Sequence, residues 1–166
     1  MTVSVVNRTQ VRIPGTRVRR IAAGILRELA RRGREKSRGY DLAIVFVGNR
    51  ESKALHQRFS RKAKPANVLS FDYGSFGEII LAPGVIRREA RASRESFDAR
   101  LFRLMIHGAA HLAGIHHEGS RAIERKADRW EATLAKRLGC TDPAGELPPT
   151  RRGRGRKTSA HHIRRH

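Results

Sequence analysis

The apolar positions of this chain change their period several times, and each change marks an element. Residues 2–6, TVSVV, form a short β-prone run that reads as a first strand. Val18, Ile21, Ala22, Ile25 and Leu29 then recur at helical spacing, which predicts a helix capped by Thr16 and stopped by Gly33. Residues 34–40 are polar and basic and read as a loop. Residues 42–47, LAIVFV, are apolar without interruption, as expected of a strand covered on both faces. Asn49 is placed to cap a short helix running to about Phe59, with Ala54 and Leu55 inward, and a basic loop, SRKAKPA, follows it.

In the second half, NVLSF (67–71) and FGEIIL (76–81) are two strand-like runs joined by DYGS, a spacing that predicts a hairpin. Residues 85–94 form a helix of thin apolar content. A stronger helix runs from Phe97 to Ala113, with Phe97, Leu101, Met105, Gly108 and Leu112 on one stripe. Ser120 caps a last helix bearing Ile123, Ala127, Trp130, Leu134 and Leu138, which Gly139 stops. The resulting order, β-α-β-α-β-β-α-α-α, predicts an α+β fold in which a small mixed sheet containing a hairpin packs against several helices. From Thr141 the chain is polar and rich in proline and glycine, so residues 1–140 are expected to form the domain and 141–166 a disordered basic tail.

Composition narrows the class. A chain of 166 residues with 39% hydrophobic content has the size and apolar share of one soluble globular domain. It contains no apolar run long enough to span a membrane, and MTVSVVNRTQ lacks the apolar core of a secretory signal. The single cysteine, Cys140, excludes an intramolecular disulfide and a thiolate-rich zinc site. These features point to the cytoplasm and to no membrane partner. The net charge of +21 calls for a polyanionic partner, of which nucleic acid is the commonest, although an arginine-favouring codon bias produces the same composition. The segment RRGRGRKTSAHHIRRH contributes seven of the cations and no acid, which leaves the remainder near +14.

Chemistry concentrates in HGAAHLAGIHHEG, residues 107–119. His107 and His111 lie four residues apart on the predicted helix and so face one metal ion from successive turns. Gly114 can end that helix in a left-handed conformation and turn the chain back, so that His117 reaches the same ion. Three neutral imidazoles leave the fourth tetrahedral position of a zinc ion open, as in catalytic rather than structural sites. The spacing H-x-x-x-H-x-x-G-x-x-H is that of metzincin proteases, whose second position is the glutamate that activates the zinc-bound water. Gly108 stands there instead, which removes the usual base of peptide hydrolysis. His161, His162 and His166 lie in the basic tail without such framing, and His56 is expected at the surface.

The stretch HGAAHLAGIHH resembles the H-G-x-L-H-L-x-G-Y-D-H signature of the YbeY family of bacterial ribosomal RNA maturation endoribonucleases. ESKALHQRFSRKAKPANVLSF is similar to that family's segment before its hairpin, and GEIIL to its G-D-I-x-I strand. The three motifs occur in the family's order over about residues 41–138. The resemblance implies a zinc-dependent endoribonuclease directed at single strands, acting in maturation of the 3′ end of small-subunit ribosomal RNA and in ribosome quality control. It implies one zinc per chain on His107, His111 and His117, with ribosomal RNA and the small subunit as partners and no small organic cofactor.

Two departures from the family matter. His116 occupies the position of an aspartate, so His116 or Glu118 is the candidate for proton handling. The family's functional arginine aligns with Ser60, and the neighbouring Arg61 is the candidate to replace it at a substrate phosphate. Arg58, Arg61, Lys62 and Lys64 form the expected RNA-binding loop, with few aromatics to support base stacking. Two other functions fit the same residues. One is a ribosome-assembly or RNA-binding factor with a mainly structural zinc; the other is a metallohydrolase of another substrate, peptide included. A structural zinc takes four protein ligands, and only His116 or Glu118 is locally available as the fourth.

Overall fold

The computed structural model describes residues 1–34, 39–115, 120–140 and 162–164. The strands are β1 (Val3–Asn7), β2 (Asp41–Phe46), β3 (Val68–Asp72), β4 (Phe76–Leu81) and a short β5 (His162–Arg164). The helices are α1 (Gly15–Leu29), α2 (Asn49–Ser60), α3 (Pro83–Ser93), α4 (Phe97–Leu112) and α5 (Arg121–Leu138). The strands form one mixed sheet in the order β1-β2-β4-β3-β5. β1, β2 and β4 run parallel, and β3 returns antiparallel to β4 through the predicted hairpin, with Asp72 opposite Gly77. The architecture is therefore the expected α+β fold.

Strand alternation divides the sheet between two cores. Leu42, Ile44, Phe46, Val68, Ile79 and Leu81 point into the larger one, where they meet α1, α4 and the inner side of α5. Ala43, Val45, Val47, Leu69, Phe71 and Ile80 point to the other face, which Leu55 and Phe59 of α2 cover. The uninterrupted apolar run of β2 thus has its predicted cause. α4 lies across β3 and β4 on the first face, and the basic segment after α2 enters β3 from the second. β5 pairs parallel to β3 on its outer edge, Phe71 opposite Ile163. The rest of the expected 141–166 tail lies outside the described residues.

Several local expectations are corrected. α1 starts at Gly15 with Pro14 at its cap, because the ring of Pro14 presets φ near its observed −73° and its carbonyl accepts the first helical bond from Val18. Thr16 is already inside the helix. Gly33 does not stop it; the chain continues as a π-helical turn over Ala30–Arg34. In α2 the buried residues are Ser52 and His56, whereas Ala54 is exposed and Leu55 half-buried. Ile123, assigned to the apolar stripe of α5, is 45% exposed. No helix among the described residues is long and apolar enough to cross a membrane.

Candidate functional site

α4 carries the site because its apolar stripe seals it to the sheet. Ser96 caps it, its hydroxyl accepting from the Ala99 amide at 3.1 Å, and Asp98 places negative charge in the positive first turn. Leu101, Met105, Ile106, Ala109 and Leu112 are buried, which fixes the helix about its axis. His107 and His111 then emerge on one side, a turn apart, with His111 only 6% exposed.

Gly108 lets the helix lie this close. A Cβ added there would stand 2.9 Å from Ile79 Cγ2 and 2.9 Å from Ser70 Oγ, inside van der Waals contact. The glutamate of a protease motif has no room at this position, because the side chain would be driven into β3 and β4. Ser70 is fully buried, and its small side chain helps α4 to seat.

The two imidazoles face each other. Their Nε2 atoms are 3.3 Å apart, with ring centroids 4.8 Å apart and planes at 81°. Two nitrogens on one tetrahedral zinc at about 2.0–2.1 Å stand roughly 3.3–3.4 Å from each other, so this pair fits that metal without rearrangement. On the far edge of the His107 ring, Nδ1 is 2.9 Å from Glu131 Oε1, contributed by α5. Both side chains are largely buried, at 13% and 14% exposure. Sequence reasoning missed Glu131: an acid among the arginines and lysines of α5 reads as part of a solvated face, and its partner lies 24 residues away.

α4 ends as the motif requires. Gly114 adopts φ +73°, a conformation glycine takes without penalty, and the Gly114 and Ile115 amides cap the carbonyls of His111 and Ala110 at 3.0 and 2.9 Å. The chain is thereby turned back at the expected residue. His117, the third expected ligand, and the expected proton-handling pair His116 and Glu118 lie outside the described residues. Among the described residues no group of three or more histidines, cysteines or acids gathers as a metal site, and the candidate ligands described are the His107–His111 pair.

The basic loop is a built feature. α2 ends at Arg61, which takes a left-handed conformation (φ 55°) and reverses the chain. Arg58, Arg61 and Lys64 are exposed and Lys62 half-buried. The Arg58 guanidinium lies over the Phe59 ring at 5.4 Å, and Ser60 is half-buried at the end of the helix. His56, expected at the surface, is fully buried: its Nδ1 donates to the Lys64 carbonyl at 2.7 Å, and the Ser52 hydroxyl donates to the Ala66 carbonyl at 2.7 Å. These two bonds hold the C-terminal end of the cationic segment against α2. Breaking the first leaves a buried carbonyl short of its donor, at about 1–3 kcal/mol. His56→Ala should therefore lower the thermal midpoint by several degrees in a melting experiment, and an unchanged midpoint would show that the clamp is not needed.

Comparison with known proteins identifies the family. The family model described as endoribonuclease YbeY matches residues 4–139. A Gluconobacter oxydans protein named endoribonuclease YbeY is 36% identical over 142 residues, 82% of this chain and 82% of its own length. A Sinorhizobium medicae protein of the same name is 36% identical over 119 residues, 66% of this chain and 70% of that one. The fold is similar to the solution structure of TM1509 from Thermotoga maritima, with a TM-score of 0.56, 20% identity, and coverage of 90% of this chain and 99% of that one. With the helix, hairpin and glycine turn of the site all inside the matched span, the chain belongs to the endoribonuclease YbeY family.

Proposed function

We propose that this protein is a zinc-dependent endoribonuclease that cuts single-stranded RNA, acting in the cytoplasm on small-subunit ribosomal RNA at its 3′ end and in ribosome quality control. The observation that carries the reading is the pair of Nε2 atoms held 3.3 Å apart on α4 by a helix that its family membership ties to RNA cleavage. His107, His111 and His117 hold the metal in this reading. Zinc bound there supplies a Lewis acid for a phosphoryl oxygen. Arg58, Arg61, Lys62 and Lys64 bind substrate phosphates, and the planar fork of Arg61 suits it to orient the scissile one. The absence of a carboxylate at Gly108 leaves proton transfer to His116, Glu118 or the RNA's own 2′-hydroxyl. Glu131 is excluded from that role because it sits on the Nδ1 edge of His107, away from the side that His111 faces.

Zinc-loaded protein should cut a single-stranded ribosomal RNA fragment and spare the same sequence annealed to its complement. RNA bound in a zinc-dependent way but left intact would instead favour an assembly factor. Charge makes a second expectation quantitative. With +21 overall, log affinity should fall by roughly 0.7 per neutralised single-strand phosphate for each log unit of salt. In filter-binding titrations, truncation after Gly139 should flatten this slope while metal-dependent cleavage persists. A truncated protein that folds, holds zinc and yet cuts no RNA would place the tail within the active machinery.

A further inference from the structure

We propose that Glu131 is the positioning residue of the metal centre: its carboxylate holds His107 by Nδ1 and so aims Nε2 at the ion. The inference rests on the zinc reading above and assigns a role within it to α5.

A carboxylate only accepts hydrogen bonds, so at 2.9 Å from Glu131 Oε1 the Nδ1 of His107 must carry the proton. In a neutral ring Nε2 is then left as the lone-pair nitrogen, which is the form a metal requires. The same bond fixes the ring plane. The two nitrogens lie on opposite edges of the ring, so anchoring Nδ1 toward α5 directs Nε2 toward His111, where it is found 3.3 Å from its counterpart. Helix packing alone does not achieve this, since a histidine on a helix retains freedom of ring rotation.

A purely architectural ion pair between α4 and α5 is the simpler alternative. Two observations favour positioning. α5 offers many cations, yet Glu131 is turned inward at 14% exposure and meets an imidazole that itself faces His111. The rest of the inner side of α5 is apolar, Ala127, Leu134 and Ala135 being buried and Trp130 and Leu138 packed against the core, so the helices do not depend on this bond to pack. Carboxylate partners of ligating histidines typically contribute 10–100-fold in metal affinity.

The test uses the full chain as wild type, Glu131→Ala and Glu131→Gln, with zinc affinity measured by competition against a chromophoric chelator. Glu131→Ala should bind zinc 10–100-fold more weakly and regain most of its RNA cleavage at saturating zinc. Glu131→Gln keeps an oxygen acceptor in the same volume, so it should stay folded and lose less affinity than alanine. Long-range nitrogen–proton NMR of the zinc-free proteins reads the tautomer directly: His107 should be protonated at Nδ1 in wild type and glutamine variant and mixed in the alanine variant. Wild-type zinc affinity in both variants, with His107 keeping its tautomer, would overturn the positioning role while leaving the zinc site standing. Failure of the wild-type protein to bind zinc would overturn the functional reading and this inference together.

Discussion

His111→Ala is expected to strip the metal from the purified protein. The imidazole is 6% exposed and packed within α4, and its Nε2 is one half of the 3.3 Å pair. Alanine leaves His107 as the single ligand on the helix, with no side chain on the same face that can replace the other. The loss in zinc affinity should exceed the roughly 10–100-fold that follows removal of an outer partner, because a direct donor is lost. Elemental analysis should find well under one zinc per chain, and His107→Ala should behave alike. Alanine is a good helix former, so the metal-free variant should keep its helical circular dichroism. Undiminished zinc in both variants would remove these residues from the site.

The second large effect concerns the position where a protease carries its base. Gly108→Glu should not create a peptidase; it should dislodge α4. Even the Cβ of an alanine lies 2.9 Å from Ser70 Oγ and from Ile79 Cγ2, and Ile79 is fully buried and branched at Cβ, with little freedom to yield. Overpacking of this kind costs about 1–3 kcal/mol, and replacing a helical glycine returns about 1 kcal/mol. Gly108→Ala should therefore lose a few degrees of thermal midpoint at roughly 2–4 °C per kcal/mol. Glutamate adds a charge with no room and no partner between helix and sheet, an uncompensated burial that costs several kcal/mol. It should yield protein that is unfolded or lacks native near-ultraviolet circular dichroism. A Gly108→Glu variant melting like wild type would mean that α4 sits farther from the sheet than described.

What the sequence revealed depended on whether a residue's role is written into a local period. α4 and α5 are legible because most of each apolar stripe is buried, Ser120 stands at the expected cap, and the glycines that end them, Gly114 and Gly139, adopt positive φ. The His107–His111 pairing followed from helical spacing alone. α2 was misread for the opposite reason. Its buried positions are Ser52 and His56, which reach carbonyls of the following loop, and apolar periodicity cannot register a polar residue buried by a hydrogen bond. Glu131 escaped notice because only the tertiary packing of α5 on α4 brings it to His107. The split of the sheet into two cores likewise set α4 and α2 on opposite faces, a relation that no linear spacing encodes.

Metal held by His107 and His111 is expected to cut RNA. The most direct measurement incubates zinc-loaded wild-type protein and zinc-treated His111→Ala protein, side by side, with small-subunit ribosomal RNA, and resolves the products on a denaturing gel. Discrete internal cleavage by the wild type is expected, lost on chelation and restored by zinc, with none by the variant. Equal cleavage by the two proteins, or intact RNA with the fully zinc-loaded wild type, would contradict it.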